Sequence, residues 1–417
     1  MDITITPGRL AGTVAVPPSK SDLHRKCIAA AFCAGETAIR ASALCGDTRA
    51  TLDCLAAMGF AVSFDGQAVR VGARDEAVRT AVLDCGESGS TARFLLPAAA
   101  YFLDSATLTG HGRLPERPFA ALTDALRACG TAVSGDLLPI TVSRGLHPGV
   151  YRLRGDVSSQ FLTGLLLALP ALGQESRIEL TTPLESAPYV ELTNRVLRAF
   201  GVEVEQTGNA FRIPAGAVYR APEGLSAEGD WSSGAFWLLA KALGCDVSVT
   251  GLSETSAQGD RRVTALLEEI RSPMPSRVID MEDIPDLLPV LAVAAGASSG
   301  RTVFRGASRL RLKESDRLQS VCAGLRAIGG FAEETADGVI VEGTNGFAGG
   351  RVDACGDHRI AMAFAVAAAA SQKPVTVCGA ESAAKSYETF FQEYERLGGK
   401  LTVEGGARVC APHFEKN

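Results

Sequence analysis

One pattern recurs six times along this chain and constrains its fold more than any other feature. A short loop of Gly, Ser and charged residues opens a helix rich in Ala and Leu. The loops are Ser19-Lys20-Ser21, Gly86-Glu87-Ser88-Gly89, Gly155-Asp156-Val157-Ser158-Ser159, Gly229-Asp230-Trp231-Ser232-Ser233, Asp283-Ile284-Pro285-Asp286 and Gly356-Asp357-His358-Arg359. The apolar runs after the first four cover 27–34, 94–103, 161–169 and 235–243. Between these runs lies a second helix type, amphipathic and usually closed by glycine at Gly59, Gly130, Gly201, Gly329 and Gly398. The first two intervals are 71 residues each and the last is 69; a helix over 261–271, ending in Ser272-Pro273, fills the missing place. Glycine suits such ends because it takes the left-handed conformation without a Cβ clash. Short alternating β patterns surround the helices, at 3–5, 13–16, 69–71, 107–109, 177–180, 247–250, 339–341 and 375–377. Six α/β units in 417 residues argue for two pseudo-symmetric halves that meet near Glu228.

Helices apolar on nearly every face are expected to be buried. Their N-termini carry free N–H groups and partial positive charge, so several such ends facing one cleft would bind phosphates and carboxylates. The candidate chemistry clusters at these ends. Lys20 and Arg25 sit at the first buried helix, where the dipole opposes a cation and an anion is the natural compensation. Arg117 precedes Pro118, and proline at the first helical position would leave Arg117 at another helix start. Ser158, Ser159 and Gln160 crowd one helix entry; capping alone accounts for one serine, and the three together suggest a bound oxyanion. The Ser232-Ser233 copy lacks the glutamine and reads as a relic of the repeat. Lys313-Glu314-Ser315-Asp316-Arg317 is either a solvated face or a carboxylate held by cations for proton transfer. Asp286 is equally an N-cap or a functional carboxylate. Lys385 lies ahead of the last amphipathic helix.

Composition narrows the function. Hydrophobic residues make up 46% and charged residues 21%, as in a soluble globular protein, and the net charge of −6 gives no case for nucleic acid as a partner. The N-terminus shows no signal peptide, and the longest apolar run, 94–103, is about half of the ~20 residues a membrane span needs. Eleven scattered cysteines without a C-x-x-C pair read as reduced thiols of the cytoplasm. Five histidines (24, 111, 147, 358 and 413) lack ligand spacing, so no metal site is expected. The chain has no Walker loop, no G-x-S-x-G elbow and no dinucleotide fingerprint, so no cofactor is implied.

Taken in order, Ser19-Lys20-Ser21 with Arg25, Gly86-x-x-Gly89 with Arg93, Glu116-Arg117-Pro118, Ser158-Ser159-Gln160, Lys313-Glu314-Ser315-Asp316-Arg317 and Asp357-His358-Arg359 resemble the enolpyruvylshikimate-phosphate synthase family over almost the whole chain. Pro18, Glu87, Ser90 and Arg309 stand where family members often carry other residues. The resemblance implies a two-domain inside-out α/β barrel of six βαβαββ repeats, three per domain. One domain would comprise 1–17 plus 228–417 and the other 18–227, with the active site in the cleft between them. It implies transfer of the enolpyruvyl group of phosphoenolpyruvate to shikimate 3-phosphate by a monomer without cofactor. Carried over by motif, Ser21, Arg25, Ser158, Ser159, Gln160, Ser186, Tyr189 and Lys313 would hold shikimate 3-phosphate, together with Asp286. Phosphoenolpyruvate would meet Gly89, Arg117, Arg317, Arg359, Lys385 and also Lys20. Asp286 and Glu314 would move protons, assisted by Lys20. Two alternatives are weighed against this. A transferase acting on UDP-N-acetylglucosamine would show Lys-Asn near its N-terminus and a Cys ahead of its Arg-Pro pair. Here Ser21 follows Lys20, and no Cys lies between Gly110 and Arg117. A non-catalytic phosphosugar-binding protein would keep the cations and lose Asp286 or Glu314, yet both are present.

Overall fold

The computed structural model describes residues 1–143 and 145–404; Arg144 and 405–417, with Cys410 and His413, lie outside the described residues. The chain divides into two compact units, Pro18–Glu228 and the pair Met1–Pro17 with Gly229–Asn417. Two strands, β1 (Asp2–Thr6) and β2 (Ala11–Ala15), precede the continuous unit.

That unit runs α1 (Lys20–Ala31), β3 (Thr37–Arg40), α2 (Gly46–Ala57), β4 (Phe60–Phe64), β5 (Ala68–Arg74), β6 (Thr80–Asp84), α3 (Gly89–Phe102) and β7 (Ser105–Thr109). It continues with α4 (Ala120–Ala128), β8 (Ile140–Ser143), β9 (Val150–Leu153), α5 (Ser159–Ala168), β10 (Ser176–Leu180), α6 (Ala187–Ala199), β11 (Glu205–Thr207) and β12 (Ala210–Ile213). The second unit holds α7 (Trp231–Ala242), β13 (Asp246–Thr250), α8 (Val263–Arg271), β14 (Ser276–Asp280), α9 (Leu288–Ala297), β15 (Arg301–Arg305), α10 (Arg317–Ala327) and β16 (Phe331–Glu334). Then follow β17 (Val339–Glu342), β18 (Gly350–Asp353), α11 (His358–Ala367), β19 (Val375–Cys378), α12 (Phe390–Arg396) and β20 (Lys400–Val403).

The helices alternate as the two sequence patterns require. The odd-numbered ones carry the apolar runs: every residue of α11 is buried, as is all of α9 except Ala297. The even-numbered ones bury a single face, as Leu122, Thr123, Ala125 and Leu126 do in α4. The five glycines that close them have φ between 78° and 95°, the conformation only glycine takes cheaply.

Among the described residues the strands form six small sheets, three in each unit. The continuous unit contains β3-β5-β4, β6-β7-β8 and β11-β12-β10-β9; the other contains β2-β13, β14-β15-β17-β16 and β18-β19-β1-β20. Parallel pairs bracket buried helices at β6/β7 around α3, β9/β10 around α5, β14/β15 around α9 and β18/β19 around α11. At the remaining two places the chain trades strands. β2, just before α1, pairs in parallel with β13, while Ser226, just before α7, bridges in parallel to Arg40 of β3. This exchange makes one unit discontinuous. β1 completes it, lying antiparallel between β19 and β20.

Each unit has its own apolar core. In the continuous unit α3 and α5 pack backbone against backbone at Gly164, where an added Cβ would fall 2.4 Å from the carbonyl oxygen of Arg93. Backbone cannot yield there as a flexible side chain would. Gly164→Ala is therefore expected to cost about 1–3 kcal/mol, read as a lowered urea midpoint with an unchanged m-value. Among the described residues no helix is long and apolar enough to cross a membrane.

Candidate active site

The residues singled out in the sequence fall into two sets, one per unit, many of them at helix N-termini. In the continuous unit Ser19 caps α1 through the Asp22 N–H, and Lys20 is the first helical residue. The Lys20 ammonium pairs with Asp47 at 2.9 Å. Asp47 sits in the first turn of α2, a partner that no motif in the sequence announced.

Arg25 is 2% exposed and donates to the Ser21 carbonyl, Thr193 Oγ1 (2.8 Å), Thr163 Oγ1 (3.4 Å) and the Tyr189 carbonyl (3.2 Å). It also lies 5.0 Å from the centre of the Phe94 ring. All these partners are neutral. Burial lowers the Arg25 pKa to about 10, opposed by Tyr189 and Asp22. A buried cation held only by neutral groups favours an anion beside it. Thr163 and Thr193, which bond each other at 3.0 Å, are polar positions on buried helix faces. That was their only trace in the sequence.

Ser158 caps α5 by accepting from the Gln160 N–H, with Ser159 next in line. The Gln160 side chain takes a bond from Arg93 Nη1 at 2.7 Å and gives one to Ser90 Oγ at 2.9 Å, joining α5 to the start of α3. Arg93 in turn stacks on Phe119 and Phe161. Gly89 opens α3, and a Cβ there would fall 2.7 Å from Arg117 Nη1 and 3.0 Å from Arg93 Nη1. The glycine thus leaves room for two guanidinium groups.

Arg117 requires a correction. It does not begin a helix: Pro118 is followed by Phe119, which caps α4 at Ala120, and Arg117 ends a single 3-10 turn over Leu114–Glu116. The proline belongs to the linker between turn and helix. Arg117 is nevertheless buried, and its Nε makes no hydrogen bond. Ser186 is buried in the left-handed conformation at φ 60°, a strained position for a residue with a Cβ, and it caps α6, whose third residue is Tyr189.

The second set centres on Arg317, the first residue of α10 and 1% exposed. Its three nitrogens reach three carboxylates: Asp286 at 2.8 Å, Glu314 at 2.9 Å and Asp357 at 2.9 Å. Burial works against its charge, yet Asp357, Glu314 and Asp286 outweigh burial and hold its pKa above the ordinary arginine value. Asp357 is wholly buried, accepts from Ser315 Oγ and caps α11 through the Arg359 N–H. Asp286 also pairs with Arg359 at 3.2 Å and with Lys313 at 3.7 Å. It does not cap α9; it lies in the 3-10 turn Pro285–Leu287 ahead of that helix, so its carboxylate is committed to cations. Lys385 joins the same set through the carbonyl of Gly356 at 2.7 Å.

Cations gathered at positive helix ends, with carboxylates held beside them, define a protein suited to small, multiply charged anions and to proton transfer. Comparison with known proteins makes this specific. The chain belongs to the EPSP synthase (3-phosphoshikimate 1-carboxyvinyltransferase) family, whose model matches residues 5–394. It is 38% identical over 419 residues to the 3-phosphoshikimate 1-carboxyvinyltransferase of Clostridium kluyveri, covering 96% of this chain and 98% of the relative. It is 35% identical to that of Methanocorpusculum labreanum, covering 97% and 100%. The EPSP synthase of Acinetobacter baumannii superposes with a TM-score of 0.78 at 27% identity, covering 96% of this chain and all of that one. The enolpyruvyl transferase NikO of Streptomyces tendae shares the mixed α/β fold at a TM-score of 0.72, with 17% identity over 96% and 98% of the two chains.

Arg317→Met would leave three carboxylates without their shared cation. Removing one partner of a buried pair costs about 3–5 kcal/mol, so a stability loss of that order is expected in urea unfolding at neutral pH.

Proposed function

We propose that this protein transfers the enolpyruvyl group of phosphoenolpyruvate to the 5-hydroxyl of shikimate 3-phosphate and releases inorganic phosphate. In the addition stage the hydroxyl oxygen bonds to C2 of phosphoenolpyruvate and loses its proton, while C3 gains one and becomes a methyl group. In the elimination stage C3 gives a proton back, the C2–O bond to the phosphate breaks, and phosphate leaves. The two halves of the chain are read as three βαβαββ repeats each, an inside-out barrel per half, acting as a monomer in the cytoplasm. Both residue sets act on one substrate pair.

The observation that carries this reading is the Arg317 node. It keeps Asp286 and Glu314 within one hydrogen-bonded group that also holds Arg359, so two carboxylates stand among the cations a phosphate and a carboxylate would need. Asp286 and Glu314 are the carboxylates of proton transfer, with Lys20 assisting. Arg25, Ser21, Ser158, Ser159, Ser186 and Lys313 take the shikimate 3-phosphate, with Gln160 and Tyr189 against its ring. Arg117, Arg317, Arg359, Lys385, Lys20 and Gly89 take phosphoenolpyruvate. Fixed cations and helix ends supply the stabilisation of developing charge.

The test mixes the protein with both substrates, without metal or nucleotide, and follows inorganic phosphate. Release is expected only when both substrates are present. Glu314→Ala is expected to lower kcat by about 10²–10⁴-fold, the usual worth of a positioned acid or base. No release with shikimate 3-phosphate would sink the proposal, and trying UDP-N-acetylglucosamine in its place would then show whether the acceptor alone was misread.

A further inference from the structure

One buried carboxyl in the discontinuous unit has no role in the reaction as proposed. Asp260 lies in the 3-10 turn Gly259–Arg262 that leads into α8 and is 2% exposed. Its Oδ2 accepts from Ser232 Oγ, while its Oδ1 makes no hydrogen bond. No ion pair to it occurs among the described residues. Asp357 in the same unit is the contrast: equally buried, but bonded to Ser315, to Arg317 twice and to the Arg359 N–H. A carboxylate with one hydroxyl bond and no cation is costly to bury, whereas the neutral acid is not.

The position of Asp260 is fixed from both sides. Gln258 accepts from the Trp231 N–H at 3.0 Å and donates to the Gly229 carbonyl at 2.8 Å, pinning the turn to the loop that starts α7. The Gly-Asp-x-Ser-Ser copy at 229–233 is therefore more than a relic, because Ser232 holds a carboxyl. The charges that act on Asp260 through space are those of Asp286 ahead of α9, Arg359 of α11 and Asp230, the cap of α7. Asp286 and Arg359 are the ion pair of the proposed site.

We propose that Asp260 is a positioning residue that sets the charge balance of the Asp286–Arg359 pair: protonated, it leaves Arg359 to the anionic substrate, and ionised, it competes for that cation and adds to the negative charge beside Asp286. The inference rests on the proposed function. Burial first, then the charge of Asp286, push the Asp260 pKa up to about 7, with Arg359 and the Ser232 bond opposing and Asp230 adding a smaller push upward. The group is neutral below that value and charged above it. Because its unfolded value is near 3.8, the folded state keeps a proton that the unfolded chain loses between about pH 4 and 7. Stability accordingly falls as pH rises through that window.

The test measures phosphate release against phosphoenolpyruvate concentration from pH 5.5 to 9 for the wild type and Asp260→Asn. Substrate ionisation is common to both proteins and cancels in the ratio of their KM values. Asparagine keeps a neutral acceptor for Ser232, so the two proteins should agree at low pH. Above neutrality the wild-type KM for phosphoenolpyruvate should rise about tenfold over that of the variant, the size of effect a neighbouring charge commonly exerts. Ser232→Ala removes the one bond to the ionised form and should move the midpoint to higher pH. It is an independent reading should Asp260→Asn fail to fold. A KM ratio flat across the range, or a midpoint indifferent to Ser232→Ala, overturns the inference while the transferase reading stands. No phosphate release from the wild type at any pH overturns that reading and this inference with it. A purely structural Asp260 would move the thermal midpoint without a pH-dependent KM ratio.

Discussion

A cation at the N-terminus of a helix is repelled by the helix it begins. Arg317 and Arg359 both occupy such places, at the starts of α10 and α11, and something must offset the conflict. For Arg317 the offset is local: Asp286, Glu314 and Asp357 surround one guanidinium, and Asp357 also caps the helix whose second residue is Arg359. Three carboxylates from two successive repeats are thereby tied to a single charge. The loops carrying them cannot drift independently, because moving one carboxylate away leaves a buried charge poorly matched.

The continuous unit solves the same conflict differently. Arg25 is as deeply buried but meets only hydroxyls, carbonyls and the Phe94 ring. Its hydrogen bonds all go to neutral dipoles. Arg93 follows the same design, with Gln160 and two aromatic rings around it. One unit therefore sets carboxylates on its most buried guanidinium, and the other holds its Arg25 by neutral groups while Lys20 pairs with Asp47. A polyanion gains most from the second kind of site, and proton transfer needs the carboxylates of the first.

Much of this was legible in the sequence. The alternation of buried and amphipathic helices follows from apolar periodicity and from glycine at five helix ends, both local signals. The residues at the helix starts were visible because cations seldom belong there. What periodicity could not show was partner choice across the fold. Asp47 looks like any first-turn acid until it is found on Lys20. Arg117 was misplaced because Arg-Pro reads alike before a helix and in a linker. Asp260 follows Gln258-Gly259 in what reads as a loop. Its burial comes from packing of that turn against the start of α7, 28 residues earlier, which no local pattern shows.

The traded strands also bear on how the chain emerges from a ribosome. Residues 18–228 contain every pairing partner of their own three sheets, so that unit can complete itself as soon as it clears the exit. β2 must wait for residues 246–250, and β1 for residues 375–378 and 400–403. At about 5–20 residues per second, β1 stays unpaired for roughly 10–40 s after the continuous unit is made. During that interval the nascent chain carries a finished globule with a bare strand hanging from its front. Such a strand is a template for wrong pairing. β1 is only five residues long, Asp2–Thr6, with Ile3 and Ile5 as its apolar positions between an aspartate and two threonines. So short and half-polar a segment is a poor seed for aggregation, which suits a strand made long before its partners.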